Sequence, residues 1–160
     1  MADPRILAAK HTFTVDASFD HGRRAAGVGM VVQSTGRSGR RGQVIAELCE
    51  AYAGLPSGSA EEFAVFRALQ IAQASGWRRV AVRSDYNGMR RRIREDHQRG
   101  GGKDRDELHG AVLRLAAAFD EIRFGYCPRR KNQRAHFLAR RAAKTLPPKP
   151  FDERRSFDGR

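Results

Sequence analysis

Cysteine and long apolar runs are both scarce in this chain of 160 residues. The two cysteines, Cys49 and Cys127, stand alone in predicted strands without the spacing of metal ligands, so we expect a reduced, buried pair and no disulfide. No stretch reaches the length of a membrane-spanning segment, and the N-terminal residues lack the apolar centre of a signal peptide. These absences favour a cytoplasmic protein that does not associate with a membrane.

Acidic residues are also in deficit, with 18 Asp and Glu against 31 Lys and Arg and a formal net charge of +13. An imbalance of this size bears on partners, and nucleic acid is the first to consider. The glycine-rich stretch "GRSGRRG" lacks the Gly-Lys-Ser/Thr ending of a nucleotide-binding loop. We therefore expect the protein to bind nucleic acid and to need no small-molecule cofactor. We also expect it to be a monomer.

The first half of the chain is patterned as strands. The stretches "HTFTVDASF", "AAGVGMVVQ" and "QVIAELCEAYAG" alternate or run apolar, and they are joined by short turns and the loop "STGRSGRRG". This predicts an antiparallel meander. From Ser59 to about Ser75 the period becomes helical, and we predict Ser59 as the N-cap with Glu62 completing a capping box.

The second half alternates helices and strands. After the strand "RRVAVRS" come a short helix "NGMRRRIRED", a linker "QRGGGKDR", a helix "DELHGAVLRLAAAF", a strand "EIRFGYC" and a last helix "NQRAHFLARRAAKTL". This order predicts an α/β fold: a five-stranded mixed sheet, with three antiparallel strands and then two parallel ones, flanked by helices. We predict an N-terminal lead (1–10), one domain (11–145) and a flexible tail containing Pro and Arg (146–160).

Three acids occupy positions where a solvated surface acid is not expected. Asp16 lies in the middle of the first strand and Asp85 ends the fourth. Glu61 shares the apolar face of the first long helix and is predicted to point toward the sheet, whereas Glu62 is predicted to point elsewhere. If the first and fourth strands are neighbours, three carboxylates share one small volume.

Such a cluster is costly without a counter-ion, because like charges and burial both disfavour ionisation. Divalent cations remove the conflict, since Mg²⁺ prefers carboxylate and phosphate oxygens, and paired ions promote phosphodiester hydrolysis. The alternative is three separate structural roles: Asp16 as a turn or bulge acid, Glu61 as a capping residue and Asp85 as the N-cap of the next helix.

Four segments, "FTVDASF", "AEEFAVFRALQIA", "VAVRSDYNGM" and "PRRKNQRAHFLARRA", together resemble a bacterial-type ribonuclease H within the wider family of ribonuclease H-like nucleases. The resemblance covers roughly residues 11 to 145. It implies the ribonuclease H-like fold and a metal-dependent endonuclease that cuts the RNA strand of RNA–DNA hybrids by a two-metal-ion mechanism. It also implies that Asp16, Glu61 and Asp85 are catalytic residues that bind two Mg²⁺ ions.

The chain departs from the family pattern at the fourth metal-site position, where the last helix normally supplies an acid and this chain has His136. We include His136 among the catalytic and metal-binding residues and expect that Mn²⁺ could replace Mg²⁺, because imidazole suits Mn²⁺ better. Related resolvases can carry histidine there. Two other hypotheses therefore stay open: a structure-specific DNA nuclease resembling a junction resolvase, and a weakly active or non-catalytic module that binds nucleic acid.

Groups around the predicted centre are candidates for holding the substrate. Backbone amides and hydroxyls near the site would read the 2′-hydroxyls, and arginine runs would grip phosphates; each run could instead be only a solvated face. The predicted nucleic-acid contacts are Ser18, Ser59, Asn87, Arg90, Arg91, Arg94, Arg130 and Asn132.

Overall fold

A computed structural model of the chain describes residues 9–35, 42–100 and 106–152. Its strands are β1 (Lys10–Asp20), β2 (Ala25–Thr35), β3 (Gln43–Ala53), β4 (Arg79–Ser84), β5 (Glu121–Tyr126) and β6 (Lys149–Pro150). Its helices are α1 (Ala60–Ala74), α2 (Asn87–Gln98), α3 (Glu107–Ala116) and α4 (Gln133–Thr145). Most of the predicted loop at 34–42 and of the predicted linker at 98–105 lies outside the described residues.

The strands form one mixed sheet in the order β5-β4-β1-β2-β3-β6. The pairs β1–β2 and β2–β3 are antiparallel, whereas β4 runs parallel to β1 and β5 parallel to β4. This confirms the predicted α/β class, with three antiparallel strands followed by two parallel ones. The sheet has six strands among the described residues, one more than predicted.

The sixth strand comes from the segment that we predicted to be a flexible tail. Lys149 and Pro150 pair with Tyr52 and Ala53 at the open edge of β3, and the Phe151 amide donates to the Ala53 carbonyl at 2.8 Å. The Phe151 ring then packs edge-on against Phe63, with 5.2 Å between ring centroids. The flexible-tail prediction is therefore wrong for residues 149–151, because an unpaired strand edge and an apolar ring outweigh the local proline content.

Helices cover the sheet on both faces. On one face α1 is buried along most of its surface and forms the main core with apolar residues of β1 and β2, including Phe13 and Val28. On the other face α4 lies directly on β2, where Gly27 and Gly29 let the helix backbone come close. A Cβ atom at either glycine would overlap a carbonyl oxygen of α4, so this approach depends on glycine.

The start of α1 differs from the predicted capping box. Ser59 is the N-cap residue, but its side chain makes no capping hydrogen bond. Glu62 does not reach back to the N-cap, because the residue is 5% exposed and its carboxylate is bonded inside the helical layer. The capping box is therefore wrong, and a short 3₁₀ turn at Ser57–Ser59 leads into the helix instead.

Both cysteines are free thiols, as predicted. Cys127 is buried, as predicted, whereas the prediction of burial is wrong for Cys49, which is half-buried. Among the described residues, the helices are all too short or too polar to cross a membrane.

Candidate metal centre

The parallel pairing of β1 and β4 brings two of the predicted acids together. The register aligns Thr14 with Arg83. Two residues further along the chain are Asp16, within β1, and Asp85, which was predicted to end the fourth strand but follows the last residue of β4, Ser84. Glu61 stands in the first turn of α1 at the same end of the sheet. One ligand oxygen from each of Asp16, Glu61 and Asp85 can be chosen so that all three lie within 4.8 Å of one another. The predicted convergence of the three carboxylates is present in the structure.

His136 joins this cluster from the other face of the sheet. Its Nδ1 lies 2.7 Å from Oδ2 of Asp16, and because a carboxylate only accepts, Nδ1–H is the donor. Asp16 is 3% exposed, whereas the imidazole is half-buried. The hydrogen bond fixes the ring and leaves Nε2 as its second nitrogen for a ligand or proton.

The electrostatics of the cluster favour a bound cation. Burial raises the pKa of Asp16 above its ordinary value; the hydrogen bond from His136 opposes this rise, and the charge of Asp85 adds to it. Burial also raises the pKa of Glu61 to about 8, helped by the charges of Asp16 and Asp85. Glu61 Oε2 is buried without a hydrogen-bond partner among the described residues. A divalent cation would supply both the missing partner and the missing positive charge.

The eight predicted nucleic-acid contacts differ in exposure: four are exposed, three are half-buried and one, Asn132, is buried. On α2, Met89 and Ile93 are buried, as predicted, and the arginines line its other sides. Arg90 is partly held by the protein, because it donates to Asn87 Oδ1 at 2.5 Å. The exposed candidates are Asn87, Arg91, Arg94 and Arg130, and the half-buried ones are Ser18, Ser59 and Arg90.

Asn132 is the exception and corrects a prediction. It is 1% exposed, and its Nδ2 donates to the Val15 carbonyl at 3.3 Å. The residue just before α4 therefore ties that helix to β1 and cannot reach a nucleic acid. The His136 amide donates to the Asn132 carbonyl at 3.0 Å, one turn along the chain.

Sequence analysis missed a buried polar network behind Glu61. His109 on α3 is fully buried; its Nδ1 lies 2.7 Å from Glu62 Oε1 and its Nε2 lies 2.8 Å from Asp96 Oδ2. Arg92 adds a 3.1 Å hydrogen bond to the other oxygen of Glu62. The network links α1, α2 and α3. The sequence feature that could have predicted this network is the position of His109, next to Leu108 on the apolar side of its helix.

The sheet order, the flanking helices and the convergent carboxylates together define the ribonuclease H-like class of proteins. A family model described as reverse transcriptase-like matches residues 14–142, and the chain belongs to this family. A search of curated protein sequences gave no significant match.

Solved structures of ribonucleases H share the fold. Similar structures include RNase H1 from the halophilic archaeon Halobacterium salinarum NRC-1 (TM-score 0.64, 24% identity, 83% of this chain and 96% of that chain). The N-terminal RNase H domain of a Mycobacterium tuberculosis protein gives a TM-score of 0.67 at 24% identity, over 85% of this chain and 94% of that one. LC11-RNase H1, solved in complex with an RNA/DNA hybrid, gives 0.63 at 22% identity, over 83% and 96%.

Proposed function

We propose that this protein is a divalent-metal-dependent endonuclease that hydrolyses the RNA strand of RNA–DNA hybrids. The observation that carries the proposal is the convergence of Asp16, Glu61 and Asp85 within 4.8 Å, inside a chain of net charge +13. A similar fold in LC11-RNase H1, which was solved with an RNA/DNA hybrid, supports the choice of substrate.

The three carboxylates would hold Mg²⁺ or Mn²⁺ ions. Their oxygens are the hard ligands that both ions accept, and Glu61 Oε2 is an orphaned acceptor at the site. Bound ions would activate a water molecule and stabilise the leaving oxygen of a phosphodiester. Asp16 is positioned for this task by His136, which holds one carboxylate oxygen and leaves the other for a ligand.

The remaining candidates would orient the substrate. Arg91, Arg94 and Arg130 are exposed and are suited to phosphate groups. Ser18 and Ser59 are half-buried and provide hydroxyl groups for the RNA 2′-hydroxyls. Because phosphate contacts release counterions, hybrid binding should weaken steeply as salt is added.

His136 favours a second candidate function, a structure-specific DNA nuclease. At the position where the family normally has a fourth carboxylate, this chain has an imidazole, which is bonded to Asp16. Imidazole is a poorer partner for Mg²⁺ than for Mn²⁺. A different metal preference or a branched DNA substrate would follow from that change.

A cleavage assay on one end-labelled strand separates these functions. The strand is presented in an RNA–DNA hybrid, double-stranded RNA, double-stranded DNA and a branched DNA junction, each with Mg²⁺, Mn²⁺ or a chelator. We expect metal-dependent cuts confined to the RNA of the hybrid. Cuts only in branched DNA would establish the second candidate, and binding without cleavage in any metal would identify a non-catalytic module.

A further inference from the structure

A polar cavity lies on the α4 face of the sheet, and none of the roles described so far uses it. Its volume is about 440 Å³, and it is open to solvent on one side. Strands β1, β2 and β4 form its floor, and the start of α4 forms a wall. The lining residues are Thr14, Val31, Gln33, Gly42, Arg83, Cys127, Lys131, Arg134 and Ala135.

The cavity carries uncompensated positive charge. Of its three cationic side chains, Arg134 is neutralised by Glu47, with Nη2 and Oε2 2.6 Å apart. Arg83 and Lys131 form no ion pair with any residue in the described ranges. Both act electrostatically on the buried thiol of Cys127, as does the carboxylate of Asp85 with the opposite sign. Two free cations therefore face one small space.

Neutral donors complete the lining. Thr14 is 8% exposed, and its hydroxyl makes no hydrogen bond to another residue of the described ranges. Arg134 and Ala135, in the first turn of α4, line the cavity, and the N-cap side chain of this helix makes no capping hydrogen bond. Free guanidinium, ammonium, hydroxyl and amide donors are the set that binds phosphate oxygens.

The position of the cavity relates it to the metal centre. Thr14 and Arg83 are aligned across β1 and β4; Asp16 lies two residues after Thr14 within β1, and Asp85 lies two residues after Arg83, just past the end of β4. Side chains two residues apart in a strand share a face, at a spacing of roughly 7 Å. A spacing of this size is comparable to the separation of neighbouring phosphates along one nucleic-acid strand.

We propose that this cavity binds a backbone phosphate of the substrate, next to the phosphodiester at the metal centre, with Arg83 and Lys131 as its charged ligands and Thr14 as a neutral donor. The assignment to a nucleic-acid strand rests on the proposed function. The inference that the cavity binds a phosphate group does not rest on the proposed function, because it follows from the lining residues alone.

The first test titrates inorganic phosphate into the full-length protein and follows backbone and side-chain NMR signals in the absence of divalent metal. We expect saturable shifts centred on Thr14, Arg83 and Lys131, and their loss in Arg83→Gln and Lys131→Gln. The matched control is Arg123→Gln, which removes an equal charge from an exposed side chain on β5. Shifts spread evenly over all exposed arginines would overturn the proposal.

The second test measures how hybrid affinity depends on salt. The double variant Arg83→Gln/Lys131→Gln should lower the slope of log K against log salt by about one unit, since the loss of one phosphate contact removes about 0.9. Arg123→Gln should leave the slope unchanged. Phosphate binding in the cavity with unaltered hybrid slopes would contradict the strand assignment and identify a site for free phosphate. If the chain cleaves no hybrid, the phosphate titration still tests the cavity by itself.

Discussion

The Nδ1 atom of His136 lies 2.7 Å from Oδ2 of Asp16, so a helix on one face of the sheet holds the carboxylate on its central strand. Asn132 fastens the start of the same helix to the Val15 carbonyl. Together these bonds make the position of α4 part of the candidate metal centre.

Removing the imidazole should weaken metal binding without unfolding the chain. Partners that orient a metal ligand typically contribute 10-fold to 100-fold in affinity, so we expect His136→Ala to weaken Mn²⁺ binding by about that factor. Isothermal titration calorimetry measures it. His136→Asp should restore binding and shift the preference toward Mg²⁺, because it replaces imidazole with a carboxylate. His21→Ala, at an exposed turn, is the control; equal affinity in His136→Ala and the control would remove His136 from the site.

The contact of α4 with β2 provides a second prediction. At Gly29 an added Cβ would overlap the Ala135 carbonyl oxygen, which is backbone and cannot rotate away. Gly29→Ala should therefore destabilise the protein by about 1–3 kcal/mol and also weaken metal binding by displacing His136. Urea denaturation and the same calorimetric titration test both effects. Gly58→Ala is the control, since nothing lies within 4 Å of a Cβ there; similar losses in both variants would contradict this explanation.

The pKa of Glu61 predicts how stability depends on pH in the absence of metal. Burial raises this pKa from its ordinary value of 4.5 to about 8. Between these values the folded chain keeps a proton that the unfolded chain has lost, so the contribution of Glu61 to stability falls as pH rises from 4.5 to about 8. The free energy of unfolding of wild type relative to Glu61→Gln should therefore decrease over this range in chelator. Mn²⁺ should reverse the trend, because it binds the ionised carboxylate; a pH-independent difference in chelator would refute the buried environment of Glu61.

The network around His109 should be a major source of stability. His109→Ala leaves Glu62 and Asp96 buried without their shared partner, and breaking a buried ionic network by removing one member costs about 3–5 kcal/mol. His21→Ala should change stability by less than about 0.5 kcal/mol. Adding Glu62→Gln and Asp96→Asn to His109→Ala should recover part of the loss. A loss under about 1 kcal/mol in His109→Ala would contradict a structural role for the network.

The sequence pattern predicted five of the six strands, and it predicted the convergence of Asp16, Glu61 and Asp85 on the condition that the first and fourth strands are neighbours. Strand alternation and helical phase are local properties, and they place Asp16 within β1 and Glu61 toward the sheet. The same phase argument correctly points Glu62 away from the sheet, but the predicted capping box was wrong, because it treated that side of α1 as exposed. The structure buries α1 on most sides, so Glu62 is bonded to α3.

The other errors also concern long-range contacts. β6 depends on an open edge of β3 and on a space beside Phe63, and the sequence around Lys149–Pro150 shows neither. Asn132 was predicted to contact substrate because it lies at the start of a basic helix, but that helix packs down on β1 and buries it. Contacts between segments far apart in the chain decided both outcomes.

The most direct test of the central claim compares hybrid cleavage and hybrid binding in Asp16→Asn, Asp85→Asn and the control Asp120→Asn. Asp120 lies just before β5, and its exposed side chain pairs with Arg78. The RNA strand of the hybrid is end-labelled, and Mg²⁺ or Mn²⁺ is present. We predict that both site variants lose cleavage, keep their fold by circular dichroism and still bind the hybrid, while Asp120→Asn cleaves like wild type. Unchanged turnover in Asp16→Asn or Asp85→Asn would contradict the assignment of the carboxylate cluster as the active site.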